Sequence, residues 1–391
     1  MDERAFERDS YCRALASEVV ECGVEEGRPW ARLATTIFYP EGGGQPADRG
    51  RLGAAAVVDV QRRDERIYHF LDRPAVLGPV ELELDWARRF EHMQQHTGQH
   101  VLTSVCKDRH GLATRAFHLG ETYSAIDLDP PALDEARMTA AEDRVNEIIR
   151  DARPVRVHTV TPEEMAQLEV RTRGFPASVG ERIRLIEVEG IDRNTCGGTH
   201  VRNTAELQVC RLVGTEKMHG MLRLKFVFGG RAVARMRAQD EREAALKEVL
   251  GAGPEAFPEV AAGWDRERRA LQRALRQTEA ELAAALATGL AAAPEALVVR
   301  HLAGRDAGFL RQLGTAVLAA APAKALVLFG DDGTAAFFLV AAGEAAECDT
   351  AALGARLAAA LGGKGGGKGR TYQGRGPDAG RIPAAMKTVA G

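Results

Sequence analysis

Two short motifs contain the residues whose types and spacing are best suited to chemistry. His96 and His100 are four positions apart, so on a helix their imidazoles project from one face, one turn apart. Cys196 and His200 have the same spacing, but Gly197-Gly198 between them disfavours a helix and predicts a ligand-bearing loop. Imidazole nitrogen and thiolate sulfur are donors that zinc takes in tetrahedral geometry. The two motifs together predict one zinc ion per chain.

Spacing alone leaves two questions open at this site. His92 precedes His96 by four residues and offers an equivalent pair, and two histidines at this spacing also fit a packing or surface role. Four protein ligands are typical of a closed, structural zinc site, whereas catalytic zinc keeps a position for water or substrate. Either one ligand is labile, or the metal expands its coordination, or zinc orients the substrate while another group activates water.

A glycine-rich turn and a glycine-rich tail are the candidates for contact with a nucleic acid. The backbone N–H groups of Gly42, Gly43 and Gly44 and the side-chain amide of Gln45 suit a phosphate or a terminal adenosine, with a plain hairpin turn as the alternative. Glycines in the tail let the backbone approach phosphate closely, so RNA contact is favoured there over a simple linker. The basic residues that we expect to contact RNA are Lys364, Lys368, Arg370 and Arg375.

Length and composition describe a globular protein with more than one hydrophobic core. The chain has 391 residues, of which 45% are hydrophobic and 27% are charged. Its net charge of −3 argues against bulk coating of DNA, so an RNA contact must come from local basic patches. The first residues are charged and no run of about 18 apolar residues occurs, which predicts a cytoplasmic protein without a membrane partner.

The order of strand and helix patterns predicts an α+β protein of several domains. Short strands broken by turns, at 32–39, 55–60 and 67–71, are typical of a small β-barrel at the N terminus. A helix from Trp86, with Gly111 as its stop signal, opens a mixed α/β region. The predicted domains are the barrel at 1–85, the α/β zinc domain at 86–235, a helical linker at 236–291 and a C-terminal α/β domain at 292–391.

The helical linker contains a short coiled-coil candidate. Apolar or small residues recur there at alternating steps of four and three, namely Leu271, Leu275, Thr278, Leu282 and Ala285. An amphipathic helix packed on its own domain is the alternative, because sustained coiled coils need about three or four heptads. The assembly that this pattern favours is a homodimer, through the linker or through the C-terminal domain.

These motifs resemble those of a known protein family. Segments 96–100 and 196–201 are similar to the two zinc motifs of the alanyl-tRNA synthetase editing domain, and 38–50 looks like the glycine-rich signature of the barrel before it. The alanine-rich helix and glycine-rich tail resemble the C-terminal domain that these synthetases share with some DHH phosphoesterases. Segments 88–96 and 213–217 look closer to the long form of the free-standing AlaX editing proteins. The zinc ligands that the resemblance implies are His96, His100, Cys196 and His200, without His92.

The resemblance also implies a reaction, which is hydrolysis in trans of the ester between a wrong amino acid and tRNA(Ala). A pocket for alanine can hardly reject serine or glycine, so a second site that removes them is useful. We expect Ser-tRNA(Ala) as the main substrate and Gly-tRNA(Ala) as the second. Thr97, Gln99 and Gln45 are the candidates for polar contacts in catalysis, and no general base is named. The chain leaves no length for an aminoacylation domain, so we expect it to edit tRNA and not to charge it.

Two other functions fit the same residues. A zinc-stabilised RNA-binding module without activity would bind tRNA with no turnover, and a closed four-ligand site would serve it equally well. A zinc hydrolase of small esters or peptides would act independently of tRNA, and the basic glycine-rich tail argues against it.

Overall fold

The computed structural model describes residues 3–131, 133–168, 170–171 and 182–390. The chain divides into two compact units, residues 1–245 and residues 246–391. Each unit mixes helices and sheets, so the predicted α+β class and the multidomain organisation are confirmed. In the ranges given, no helix is both long enough and apolar enough to cross a membrane.

The first sheet of the N-terminal unit closes on itself. Its region contains β1 (Glu3–Arg4), α1 (Ala5–Arg8), β2 (Ala14–Glu25), β3 (Arg28–Leu33), β4 (Thr35–Thr36), β5 (Gly50–Leu52), β6 (Ala55–Arg63), β7 (Arg66–Leu71) and β8 (Gly78–Leu84). The strands hydrogen bond in the order β2-β3-β7-β6-β5-β8, and β8 pairs back with β2, while β1 and β4 pair in a separate sheet. Apolar side chains that alternate along the strands, such as Leu33, Val60 and Leu82, share one buried core.

The strand predicted at 32–39 is wrong in its second half. β3 ends at Leu33, and Ile37–Tyr39 are buried but lie outside any strand. Side chains satisfy the backbone there, because the Ile37 carbonyl accepts a hydrogen bond from Arg89 (2.6 Å) and the Tyr39 N–H donates one to Asp48 (2.6 Å). Buried backbone groups need a partner, and here that partner is an arginine–aspartate pair that the alternation of apolar residues does not reveal.

The rest of the N-terminal unit contains two antiparallel sheets and the helix of the first histidine motif. Its elements are α2 (Trp86–His110), β9 (Ala113–Leu119), β10 (Ser124–Asp129), α3 (Glu135–Arg150), β11 (Val155–Val160), α4 (Pro162–Ala166), β12 (Ile183–Val188), β13 (Asp192–Thr195), β14 (Cys210–Met218), β15 (Met221–Phe228) and α5 (Gly230–Leu250). The sheets run β14-β15-β10-β9 and β11-β12-β13. Helices α2 and α3 share one hydrophobic core with the first of these sheets.

Helix α2 begins and ends at the residues that the sequence predicts. Asp85 caps its N terminus by accepting a hydrogen bond from the Arg88 N–H (3.1 Å), and Gly111 ends it in the left-handed conformation with φ 69°. Gly98 lets the helix lie close to β15, because a Cβ at this position would be 2.4 Å from the ring of Phe228. This close approach fixes the height of the histidine motif above the sheet.

The C-terminal unit is a mixed sheet covered by helices on both faces. Helix α5 crosses the boundary between the units, and the remaining elements are α6 (Phe257–Ala292), β16 (Leu297–Leu302), α7 (Ala307–Ala320), β17 (Ala325–Asp331), β18 (Ala336–Ala342), α8 (Thr350–Ala360), β19 (Lys364–Lys368), β20 (Thr371–Gly376) and α9 (Ile382–Ala390). The strand order is β16-β17-β18-β20-β19, with β16 and β17 parallel and the other pairs antiparallel. One face packs on α6 and α7, and the other packs on α8 and α9.

Helix α6 contains the coiled-coil candidate. Leu282 packs into the core of its own unit, so the alternative of an amphipathic helix holds for the C-terminal part. Leu271 and Leu275 point to solvent and are 63% and 59% exposed. The apolar stripe therefore has an internal partner over only part of its length in the described chain.

Candidate metal centre

The four ligands predicted from the two motifs come together in the structure. The donor atoms of His96, His100, Cys196 and His200 lie within 4.8 Å of one another. The Sγ of Cys196 is 3.3 Å from the Nε2 of His96 and 3.3 Å from the Nε2 of His200. All three imidazoles are buried. Nitrogen and sulfur donors converging at this separation form a group that could hold a metal ion.

Two separate elements supply these side chains. His96 and His100 project from one face of α2, and Cys196 and His200 lie in the loop that follows β13. Gly198 permits the approach of the loop to the helix, because a Cβ there would lie 2.2 Å from the Cε1 of His96. Of the glycine pair, Gly198 therefore has a steric role, whereas a Cβ at Gly197 would meet nothing within 4 Å.

Every histidine of the group has its Nδ1 in a hydrogen bond with a side-chain oxygen. The pairs are His96 with Gln45 (2.7 Å), His100 with Asp192 (3.0 Å) and His200 with Thr97 (3.0 Å). With Nδ1 occupied, Nε2 is the nitrogen that each ring offers as a metal ligand. Partners of this kind fix the orientation and the tautomer of histidines that bind metals.

Two of the polar residues predicted to act in catalysis are among these partners. Gln45 accepts from His96 through Oε1 and donates through Nε2 to Thr199 (2.9 Å). Thr97 also accepts from the N–H of Val201 (3.2 Å), so it joins α2 to the ligand loop. Both residues thus contact the ligand imidazoles at Nδ1 and not at Nε2. Gln99 is placed differently, because its Nε2 donates to Thr103 (2.7 Å).

The glycine-rich turn brings Gln45 to His96. Gly42 and Gln45 exchange two backbone hydrogen bonds of 3.0 and 2.9 Å, with Gly43 at φ 57° and Gly44 at φ 83° between them. This is the two-residue hairpin turn that favours glycine. Gly44 also approaches the Phe117 carbonyl so closely that a Cβ would be 2.8 Å from its oxygen. The backbone is therefore a hairpin turn, as the alternative interpretation of the sequence has it.

His92 is not part of the donor group. Its side chain is 2% exposed, and its Nδ1 has no hydrogen-bond partner among the described residues. Burial, reinforced by the positive charges of Arg88 and Arg231, lowers the pKa of His92 to about 3. The ring is therefore neutral and packed one turn away from His96. The two histidine pairs have the same spacing in the sequence, but only His96 and His100 both belong to the donor group.

The electrostatics of the group favour a thiolate at Cys196. Burial raises the pKa of this thiol, but the imidazoles of His96 and His200 outweigh burial, and the pKa lies well below its ordinary value. Burial lowers the pKa of His200 to about 3. Burial also lowers the pKa of His100, but hydrogen bonds to Asp192 and Cys196 reverse this effect and raise it to about 9. A deprotonated thiol is the form that binds metals.

Sequence reasoning missed Asp192 and Arg184. Arg184 in β12 donates through Nη1 to the carbonyls of Cys196 (2.6 Å) and Gly198 (3.0 Å), and its Nε donates to the Glu7 carbonyl (3.1 Å). Burial lowers the pKa of Arg184, and the negative charge of Cys196 opposes this change. Neither residue belongs to a recognisable spacing, because the contacts arise only when β12, β13 and the ligand loop come together.

The basic tail forms a hairpin in the C-terminal unit. Lys364 in β19 pairs with Arg375 in β20, and Lys364 and Lys368 are exposed. Arg370 is different, because its guanidinium donates to the carbonyls of Ala342 and Ala346. All four of the predicted RNA contacts are exposed, and the guanidinium of Arg370 in addition holds the hairpin to the carbonyls of Ala342 and Ala346.

Comparison with known proteins identifies the family. Residues 183–225 match the family described as "Threonyl and Alanyl tRNA synthetase second additional domain". The chain is 34% identical over 386 residues to the alanyl-tRNA editing protein Aarsd1 of Mus musculus, covering 94% of this chain and 93% of that protein. It is 34% identical over 247 residues to the alanyl-tRNA editing protein AlaX-L of Pyrococcus horikoshii, covering 60% of each. An alanine–tRNA ligase of Ignicoccus hospitalis is 32% identical over 268 residues, covering 64% of this chain and 29% of the ligase. The chain belongs to the family of alanyl-tRNA editing proteins.

Proposed function

We propose that the protein removes a wrong amino acid from tRNA(Ala) in trans by hydrolysing its ester to the terminal ribose. Ser-tRNA(Ala) is the main substrate and Gly-tRNA(Ala) the second. The observation that carries the proposal is the buried donor group of α2 and the ligand loop, in a chain that belongs to the alanyl-tRNA editing family. The protein is accordingly an aminoacyl-tRNA hydrolase.

The donor group fits zinc. Three imidazole nitrogens and a thiolate are borderline or soft donors, whereas magnesium and calcium prefer oxygen. The low pKa of Cys196 supplies the thiolate, and the Nδ1 hydrogen bonds aim each imidazole through Nε2. His96, His100, Cys196 and His200 would hold the ion, which when bound supplies Lewis-acid polarisation of a carbonyl or a water.

The chain's own residues prepare the site around these ligands. Gln45 and Thr97 act through the imidazoles that they hold, as positioning residues. Gln99 is the remaining candidate for a polar contact with the substrate, because only its Nε2 is engaged by Thr103 in the hydrogen bonds of the described chain. Arg184 fixes the carbonyls of the ligand loop and so holds Cys196 in place.

The discrimination between serine and alanine follows from hydrogen bonding. A site that pairs with the hydroxyl of serine leaves buried polar groups unpaired when alanine enters, and each unpaired group costs about 1–3 kcal/mol. Such a site spares the correct product and removes the wrong one. Glycine lacks this hydroxyl, so this pairing does not select it, and we place it second to serine.

Contact with tRNA is assigned to two regions. The turn Gly42–Gly44, in which Gly43 and Gly44 are exposed, lies beside the metal centre and is assigned to the terminal nucleotide. The hairpin of the C-terminal unit presents Lys364, Lys368 and Arg375 to the phosphates, with Arg370 bracing it through its carbonyl contacts. The partner is tRNA and not DNA, and the site of action is the cytoplasm.

Domain roles and assembly complete the proposal. Residues 86–235 form the editing domain after the N-terminal sheet of 1–85, and the segment 236–291 links them to the C-terminal domain of 292–391. The exposed Leu271 and Leu275 of the linker are the surface through which two chains form a homodimer.

Replacement of Cys196 tests the function. Cys196→Ala should lose both bound zinc, measured by elemental analysis, and release of serine from Ser-tRNA(Ala). Cys22→Ala is the matched control, because Cys22 is a free cysteine outside the donor group. Full activity in a metal-free Cys196→Ala protein would overturn the role of zinc. Tight tRNA binding by the native protein without release of any amino acid would favour the silent RNA-binding module.

A further inference from the structure

The two halves of the metal centre are joined by an arginine outside both motifs. Arg171 donates through Nη2 to both carboxylate oxygens of Asp108 on α2, at 2.7 and 2.6 Å. Its Nε lies 3.4 Å from the Oδ1 of Asp192 on β13. Helix α2 carries His96 and His100, and β13 leads into the loop of Cys196 and His200. A single guanidinium thus faces one carboxylate from each ligand-bearing element.

Asp192 needs this cation more than an exposed carboxylate would. Its side chain is 2% exposed, and its Oδ2 accepts the Nδ1–H of His100 at 3.0 Å. Its Oδ1 is buried without a hydrogen bond from any described residue, and Arg171 is the cation that faces it. A buried charge without compensation is costly, so removal of the guanidinium should free Asp192 to move.

The position of Arg171 is fixed by its backbone as well as by its side chain. Its N–H donates to the Arg193 carbonyl at 2.7 Å, which places the residue alongside β13. On α2, the Oγ of Ser104 lies 2.8 Å from the Ile191 carbonyl and 3.1 Å from Asp108. Two adjacent contacts therefore join α2 to β13 and the residue before it. One is the hydrogen bond of Ser104, and the other is the ionic bridge made by Arg171.

We propose that Arg171 is a positioning residue that fixes Asp192 and thereby aims the Nε2 of His100 at the metal. The inference rests on the proposed function in one respect, namely that the donor group holds a metal. The guanidinium of Arg171 offsets the negative charge of Asp108 and Asp192, and so holds Asp192 in the position that pairs with His100.

The test measures metal binding in the full chain. Arg171→Gln should weaken zinc binding by up to about 10-fold in competition with a chromophoric chelator. This is the lower end of the about 10–100-fold that loss of a direct partner of a metal ligand costs, because Arg171 acts on His100 through Asp192. The absorption spectrum of the cobalt-substituted protein should shift, because the field at the metal changes when His100 reorients. The zinc affinity of Arg171→Lys should lie between those of the native protein and Arg171→Gln, since one ammonium cannot span both carboxylates as the planar guanidinium does.

The matched control is Arg115→Gln in the same unit. Arg115 also makes a hydrogen-bonded ion pair, with Asp129 at 2.7 Å, but the two side chains are 60% and 39% exposed. This variant should bind zinc like the native protein and give the same cobalt spectrum. A general effect of losing one arginine charge would appear in both variants.

The outcomes separate this inference from the proposed function. If the native protein binds no metal, the proposed metal centre itself fails. If the native protein binds zinc and folded Arg171→Gln matches it in affinity and cobalt spectrum, only the role of Arg171 is overturned. Should Arg171→Gln not fold by circular dichroism, Arg171→Lys takes its place, because it keeps the charge but loses the planar guanidinium that faces both carboxylates. An unchanged affinity and spectrum in that variant would overturn the inference equally.

Discussion

Replacing Gly198 with alanine places a methyl group against the metal centre. The added Cβ would lie 2.2 Å from the Cε1 and 2.5 Å from the Nδ1 of His96, and 3.1 Å from the Oε1 of Gln45. Since real contacts of a Cβ are essentially never below 3.0 Å, either His96 or the ligand loop must move. Movement of either one separates Cys196 from His96 and strains the hydrogen bond to Gln45. Overpacking of this kind costs about 1–3 kcal/mol.

The expected effect on metal binding follows from this cost. If the clash falls on the metal-bound state, about 1–3 kcal/mol corresponds to zinc affinity that is about 5- to 150-fold weaker. Chelator competition measures the dissociation constant, and deacylation of Ser-tRNA(Ala) should fall in parallel at limiting zinc. Gly197→Ala is the control next to it in the chain, because a Cβ at Gly197 meets nothing within 4 Å. Equal zinc affinity in the two variants would refute the steric account of the loop.

Three further predictions concern other parts of the molecule. Because the pKa of His92 in the folded protein is about 3, below the usual 6.5, this histidine is neutral when folded and its contribution to stability is lost as pH falls from about 6.5 toward 3. The free energy of unfolding of the metal-free protein should therefore drop between pH 7 and pH 5 by about 2 kcal/mol more in the native chain than in His92→Gln. Urea titrations that give the same drop for both proteins would contradict this. Leu271→Glu should change the free energy of unfolding of the monomer by no more than about 0.5 kcal/mol and should abolish dimerisation, measured by light scattering. Leu282→Glu should instead destabilise the C-terminal unit. A dimer that persists when Leu271→Glu and Leu275→Glu are combined would exclude this surface. Lys368→Gln should weaken tRNA binding and lower the slope of log affinity against log salt by about 1, in filter binding at several salt concentrations, and an unchanged slope would remove Lys368 from the interface.

The donor group could be predicted from sequence because each half of it is local. His96 and His100 share a helix face by periodicity, as His92 and His96 do equally, and it is the family resemblance that implies the pair His96 and His100. Cys196 and His200 flank a glycine pair that disfavours a helix. Residues that support the ligands are a different matter. Asp192 and Arg171 meet α2 only in the folded chain, and no periodicity relates residues on separate elements.

The same limit explains the error in the strand at 32–39 and the two interpretations of the α6 repeat. The strand at 32–39 follows an apolar pattern that is correct about burial, yet Ile37 finds its partner in Arg89 and not in a neighbouring strand. The leucine repeat of α6 is also real, but whether Leu282 faces another chain or its own sheet depends on where α7 packs. Periodicity thus identifies a buried face correctly and leaves its partner undefined.

The central claim is that the metal centre removes serine from tRNA(Ala) and spares alanine. The most direct measurement incubates the purified protein with Ser-tRNA(Ala) and with Ala-tRNA(Ala), with and without a chelator, and follows the release of the amino acid. Our account predicts rapid release of serine that the chelator abolishes and that zinc restores, with alanine retained. Release of neither amino acid by a protein that holds stoichiometric zinc would contradict it.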